Sequence, residues 1–264
     1  MTKILAIANQ KGGVGKTTTT VNLAASLRAT KRRVLLVDMD PQGNATMGSG
    51  INKSELDVSI YDVLTGKATF QQAVLQTDEN GFDILPANSD LTAAEIELLH
   101  EPNRESILRR LLAEVADNYD FIVIDCPPSL NMLTLNALVA AQGVIIPMQC
   151  EYYALEGLSA LVDTINAIKA GYNPQLQIEG ILRTMYDPRN KLTSEVSNQL
   201  FRHFGDRVYR TVVPRNVRLA EAPSFGMPIL RYDKHSRGSL AYLALAGEML
   251  RRSEQRKEQA EAVV

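Results

Sequence analysis

The chain has 264 residues, with 28 Lys+Arg against 30 Asp+Glu for a formal charge of −2, and is 45% hydrophobic and 22% charged. That balance excludes a disordered or low-complexity chain, and two cysteines, Cys126 and Cys150, are too few for a disulfide scaffold. No run reaches the ~18 apolar residues of a membrane span, and Met1-Thr2-Lys3-Ile4 does not open a signal peptide, so a cytoplasmic protein is expected.

In chain order, Lys3–Ala8 reads as a strand, Lys16–Leu27 as a helix, Arg33–Asp38 as a strand and Phe82–Pro86 as a short third strand. Gly43–Gln76 mixes short helical pieces with loop residues. Glu105–Ala116 has helical spacing, with Ile107, Leu108, Leu111, Leu112 and Val115 on one side. Phe121–Asp125 and Val144–Met148 are near-continuous apolar runs, as in strands covered on both faces, and Leu130–Ala141 forms a helix between them. Helices at Leu155–Ala170, Ser194–Phe204 and Leu240–Arg252 alternate with strands near Ile178–Met185 and Thr211–Val213. This alternation predicts one α/β domain over residues 1–252, a mainly parallel twisted sheet with helices on both faces. Residues 253–264 read as a polar, frayed tail. Ligands in such folds sit at the carboxyl ends of the strands.

The first strand runs into Asn9-Gln10-Lys11-Gly12-Gly13-Val14-Gly15-Lys16-Thr17-Thr18 and then a helix. Glycines let successive backbone N–H groups curl inward at phosphate oxygens, and the helix amino terminus adds partial positive charge. Gly12, Gly13, Val14, Gly15 and Thr18 therefore belong to a nucleotide cradle. Lys16 reaches the β- and γ-phosphates, and the Thr17 hydroxyl completes a Mg²⁺ shell. The loop departs from the usual phosphate-loop pattern: Gln10 stands where the first glycine belongs, and Lys11 follows it. A second lysine on the rim can stabilise charge on a γ-phosphate, including that of a partner's nucleotide in a face-to-face dimer.

The string KGGVGKTT resembles the deviant Walker A motif of the ParA/MinD group of P-loop ATPases. The resemblance implies ATP and Mg²⁺ as cofactors, a nucleotide sandwich homodimer, and Lys11 acting across its interface. Asp38 and Asp40, two residues apart at the end of the second strand, can point to one side, where a carboxylate orients water or holds a metal; an Asp pair opening a surface turn is the alternative. By the resemblance, DxDPQGN makes Asp40 the water-positioning residue, with Asp38 supporting the metal shell. Asp125 ends four apolar residues in a Walker B arrangement and is expected to hold Mg²⁺ through water. Cys126, Cys150, His100, His203 and His235 show no ligand spacing, so a metal cluster is not expected.

Charge is uneven along the chain: residues 1–180 carry 13 basic against 21 acidic side chains, residues 181–264 carry 15 against 9. Charge alone fits either ordinary solvated faces or a basic surface for a polyanion. Gln149–Leu158, Thr184–Asp187 and Pro214–Ser224 look like the ParA/Soj chromosome-partitioning branch, over roughly residues 3 to 250. That resemblance implies adenine contacts from Pro214 and Asn216, which otherwise read as an ordinary loop. It also implies sequence-independent binding of double-stranded DNA by the ATP dimer, slow hydrolysis, a ParB-type centromere-binding partner and a nucleoid-associated location. Arg189 and Arg218 match the branch's DNA surface. Lys191, Arg202, Arg215, Lys234 and Arg237 are assigned to it by charge only. The membrane-cycling, septum-positioning branch needs an apolar stripe that Arg251–Gln259 lacks. A P-loop reductase needs two interface thiolates per subunit; with an ATP-dependent synthetase it is the remaining alternative.

Overall fold

The computed structural model describes residues 2–77 and 80–261. The first half runs β1 (Lys3–Ile7), α1 (Lys16–Ala29), β2 (Val34–Asp38), α2 (Asn44–Gly48), α3 (Ile60–Leu64), α4 (Phe70–Ala73), β3 (Leu75–Gln76), β4 (Asp83–Leu85), α5 (Leu91–Glu97), α6 (Ile107–Val115) and β5 (Phe121–Asp125). The second runs α7 (Met132–Ala140), β6 (Gly143–Gln149), α8 (Ala154–Gly171), β7 (Gln177–Tyr186), α9 (Lys191–Phe204), β8 (Val208–Pro214), α10 (Val217–Glu221), α11 (Ile229–Tyr232) and α12 (Arg237–Glu261). The strands form one sheet in the order β3-β4-β2-β5-β1-β6-β7-β8, antiparallel only between β3 and β4. It is the α/β architecture that the alternation of runs predicts.

Successive strand residues point to opposite faces, and both faces are covered. Ile4, Ala6, Leu35, Val37, Ile122 and Ile124 join a core shared with helices α3 to α9. Leu5, Ile7, Leu36 and Val123 face a second core filled mainly by α1 and α12. Cys126 and Cys150 are both packed in the first core. At the β8 edge, the N–H groups of Arg210 and Thr211 donate to the Glu248 carboxylate of α12, each at 2.8 Å. That contact closes an edge that would otherwise offer open strand donors.

Several boundaries differ from expectation, for local reasons. Helix α9 starts at Lys191 because the Asn190 side chain caps it, accepting from Leu192 N at 3.0 Å. Between Gly43 and Gln76 lie three short helices, two of them opened by capping boxes, Ser59 with Asp62 and Thr69 with Gln72. Helix α12 continues to Glu261, and the last three residues of the segment read as a polar, frayed tail, 262–264, lie outside the described residues. Its later turns are tied down: Arg252 donates to Asp206 O and Val208 O, and Arg256 pairs with buried Glu179 at 2.9 Å.

Candidate nucleotide site

Central β1 delivers Asn9 to Gly15 to the carboxyl edge of the sheet. Gly13 and Gly15 hold φ of 72° and 87°, a left-handed backbone that side chains with a Cβ rarely adopt. Gly15 is also the N-cap of α1, and no side chain caps that helix. Helices α7, α9 and α10 by contrast are capped by Asn131, Asn190 and Asn216. The free N–H groups of the first turn of α1 are thus left for an anion, which the helix dipole also favours.

These groups border a cavity of about 390 Å³ lined by Gly13, Gly15, Lys16, Thr17, Asp40 and Pro128, among others. Lys16 is buried, and its Nζ donates to Lys11 O at 3.2 Å. Burial lowers its pKa, against the opposing pull of Asp125 and Asp40. The Thr17 hydroxyl donates to Asp125 Oδ2 at 2.8 Å, and Thr20 Oγ1 to Asp125 Oδ1 at 2.7 Å. Burial, reinforced by the charge of Asp38, pushes the Asp125 carboxyl up to about 8. Two hydroxyls and a carboxylate beside a phosphate cradle make an all-oxygen donor set that suits Mg²⁺.

Asp38 and Asp40, two residues apart, divide in role. Asp38 is fully buried, accepting from Asp40 N at 3.1 Å through Oδ1 and from Thr46 N and Oγ1 at 2.9 and 2.8 Å through Oδ2. Burial raises its pKa to about 6 despite those bonds. Asp38 therefore holds the loop after β2 in shape, with both oxygens already engaged by its own chain. Asp40 lines the cavity, and its Oδ1 accepts from Gln42 N at 2.9 Å. A carboxylate fixed on one oxygen can present the other to a water molecule.

Lys11 is not among the residues lining that cavity. Its Nζ turns outward to Glu151 Oε2 at 2.5 Å. A second cavity, of about 200 Å³, adjoins the first and is lined by Thr18, Thr184, Met185, Pro214, Asn216 and Tyr242, among others. Pro214 and Asn216 line this cavity together with Gly15 and Thr18 of the phosphate loop. Asn216 spends its Oδ1 as the α10 cap, taking Leu219 N at 3.2 Å, which leaves its amide N–H₂ as the group a base edge can meet.

Sequence reasoning missed several participants. Thr184 Oγ1 donates to Val14 O at 2.8 Å and so ties β7 to the phosphate loop. Met185 lines both cavities with φ of 48°, a left-handed position for a side chain with a Cβ. Thr46 and Glu151 were also overlooked. Only Thr20 left a signal: it falls three and four residues after Thr17 and Lys16, on the same face of α1.

The candidate DNA residues gather less tightly. Arg189, Lys191, Arg215, Arg218, Lys234 and Arg237 are all exposed, on segments that follow β7, β8 and α11. Arg202 sits at the far end of α9. Arg189 forms a two-bond fork on Asp187 at 2.9 and 2.7 Å, and holds that carboxyl down to about 2. Arg218 pairs with Glu221 at 2.9 Å and lies 3.7 Å from Asp233. Charge counting took no account of these partners.

Residues 2–178 match a family model described as an AAA domain. The chain is 53% identical to the sporulation initiation inhibitor protein Soj of Bacillus subtilis, covering 94% of this chain and 98% of that one. It is 52% identical to the chromosome partitioning protein ParA of Myxococcus xanthus, over 95% and 88% of the two chains. The chain belongs to the ParA/Soj family of partitioning ATPases. Among solved structures, cobyrinic acid a,c-diamide synthase of Mycobacterium smegmatis with bound ATP analogue and magnesium superposes with a TM-score of 0.85. It is 39% identical and covers 96% of each chain. The family assignment agrees with the cradle and with Thr17 bonded to Asp125 at its edge.

Proposed function

We propose that this chain is an ATP-dependent dimerising switch: ATP with Mg²⁺ closes a homodimer, the dimer binds duplex DNA without sequence preference, and slow hydrolysis releases it. On this reading it works on the nucleoid with a ParB-type partner that accelerates hydrolysis during chromosome or plasmid segregation. The observation that carries the proposal is the division between two lysines of one loop. Lys16 lines its own cradle, whereas Lys11 is directed out of it, towards Glu151. An ammonium on the outer rim is positioned for a second subunit's phosphates.

Bound Mg²⁺-ATP supplies the scissile phosphoanhydride. The α1 amino terminus binds its phosphates, and Lys16 exchanges the Lys11 carbonyl for phosphate oxygens. Thr17 and Asp125 would hold Mg²⁺, which would neutralise charge on the phosphates. The base rests in the smaller cavity against Pro214, with the Asn216 amide as donor. Asp40 orients the attacking water and accepts its proton. Because Asp40 touches the reaction and not the cradle's backbone, Asp40→Ala should bind ATP, accumulate as a dimer and turn over very slowly. Gel filtration of that variant with ATP, with and without nonspecific duplex at two salt concentrations, tests the reading. ATP hydrolysis at the parent rate, or single subunits throughout, would overturn it.

Two features weigh against the other branches. Arg252 and Arg256 of α12 are bonded to Asp206 O, Val208 O and buried Glu179, so this stretch of the helix is docked on protein and not offered to a membrane. The 39% identical structure carries the name of a small-molecule synthase, yet the 52% identical relative from Myxococcus xanthus carries that of a partitioning protein. Stimulation of ATP turnover by duplex DNA and a ParB-type protein, rather than by a corrinoid, separates those readings.

A further inference from the structure

The Lys11–Glu151 ion pair joins positions 140 residues apart at 2.5 Å, with the two side chains 48% and 51% exposed. Both ends are built rather than incidental. Lys11 N donates to Asn9 Oδ1 at 3.0 Å, and Asn9 Nδ2 donates to Pro147 O at 2.8 Å, which fixes the loop rim against β6. Glu151 lies just past the end of that strand, where its N–H reaches Gln149 O and its carbonyl accepts from Ala154 N. The next two residues, Tyr152 and Tyr153, are 74% and 72% exposed and pack edge to face at 5.0 Å. An exposed aromatic pair beside a half-exposed ion pair is an unusual surface for a chain that works alone.

We propose that Glu151 is a cis latch on Lys11, holding the ammonium away from its own cradle until the phosphates of a second copy of this chain draw it across. The idea rests on the reading of Lys11 as the residue that reaches the partner. A flexible ammonium one loop away from a polyphosphate would otherwise fold back onto it, since Lys16 and Lys11 belong to the same turn. Glu151 offers a competing anion on the outward side. To act in trans, Lys11 must break this pair, so the latch raises the threshold for dimerisation. Because the pair is solvent-exposed, the threshold is modest.

The test uses the full chain in the Asp40→Ala background, so that ATP stays intact. Sedimentation velocity gives the protein concentration at which half the chains are dimeric in saturating Mg²⁺-ATP, with Glu151→Gln and Glu151→Asp beside the Asp40→Ala chain that keeps Glu151. Glu151→Gln should lower that midpoint about two- to five-fold, while Glu151→Asp keeps it near the starting value. The thermal midpoint of the nucleotide-free chain should be the same in all three, which a merely structural role for Glu151 would not give. An unchanged midpoint overturns the latch and leaves the dimer standing. A raised midpoint also overturns it, since Glu151 would then be supporting the dimer. Single subunits in every sample, even at high concentration, overturn the proposed function itself and the latch with it.

Discussion

Thr17 and Asp125 stand 108 residues apart in sequence and meet at 2.8 Å where α1 begins. The contact places the end of β5 against the phosphate cradle, and Thr20 takes the other carboxylate oxygen. Burial and the neighbouring Asp38 make ionisation of Asp125 costly until a cation arrives.

A pH dependence follows from this pair of carboxyls. Asp125 is raised to about 8 and Asp38 to about 6, both above the ~4 of an unfolded chain. Above ~4 and up to those values the folded chain binds more protons than the unfolded one, so stability is full at low pH and is lost as pH rises through 6 to 8. The loss should amount to a few kcal/mol over that window. Thermal midpoints between pH 5 and 9 in metal-free buffer should fall for the parent and stay flatter for Asp125→Asn. Mg²⁺-ATP should also flatten the parent curve, because a cation favours the ionised carboxylates.

Lys16→Ala should abolish nucleotide binding with little damage to the fold. Its hydrogen bond to Lys11 O is long, at 3.2 Å, and Lys16 lines a cavity. Calorimetry with ATP should show no heat of binding, while the thermal midpoint stays within a few degrees of the parent. An intact affinity would remove Lys16 from the cradle.

Most of the fold was legible because its strands are apolar on both faces and its phosphate loop is punctuated by Gly13 and Gly15. Asp40 and Asp125 drew attention because they follow or end a recognisable strand, whereas Pro214 and Asn216 came from the resemblance alone and otherwise read as an ordinary loop. The missed residues act through long-range hydrogen bonds that leave no local pattern. Thr46 holds Asp38, Thr184 holds Val14, and Glu151 holds Lys11. Asp38 was expected to support the metal shell beside a water-positioning Asp40, and sequence could not show what its carboxylate bonds to. Its two oxygens are engaged by Thr46 and the Asp40 backbone, which only the folded loop reveals. Composition likewise gives no sign of the bonds that Arg252 and Arg256 make along α12.

Gly50 and Gly226 touch backbone to backbone and both hold positive φ, 87° and 63°. A Cβ added at Gly226 would lie 2.7 Å from Gly50 Cα, with no flexible side chain to move aside. The contact joins the loop that follows Asp40 and α2 to the segment bearing Arg218. Gly226→Ala should cost about 1–3 kcal/mol through strain and overpacking, read as a thermal midpoint several degrees lower. DNA retention by the ATP-bound chain should suffer more than ATP affinity, because neither glycine lines the cradle. Equal losses in both would argue that the glycine pair only supports the fold.

Arg218 and Arg189 are both engaged by carboxylates of their own segments, which sharpens what charge substitutions there should do. Arg218→Glu would set a new carboxylate beside Glu221 and Asp233, converting a paired site into a cluster of three acids. The local potential should then repel phosphates strongly, and because the site is exposed the fold should tolerate it. Removing the nearer counter-charge instead, with Glu221→Gln, leaves Arg218 only the more distant Asp233 and should strengthen retention. The two variants therefore move DNA binding in opposite directions. Each phosphate neutralised or released also changes the slope of log affinity against log salt by about one. Binding to a fluorescent duplex across a salt series, with ATP-driven dimerisation followed in parallel, measures both quantities. Arg218→Glu should lose DNA while still dimerising. If Glu221→Gln weakens DNA binding as Arg218→Glu does, the acid is positioning the arginine rather than competing for it, and the exposed guanidinium acts as a pre-aimed contact.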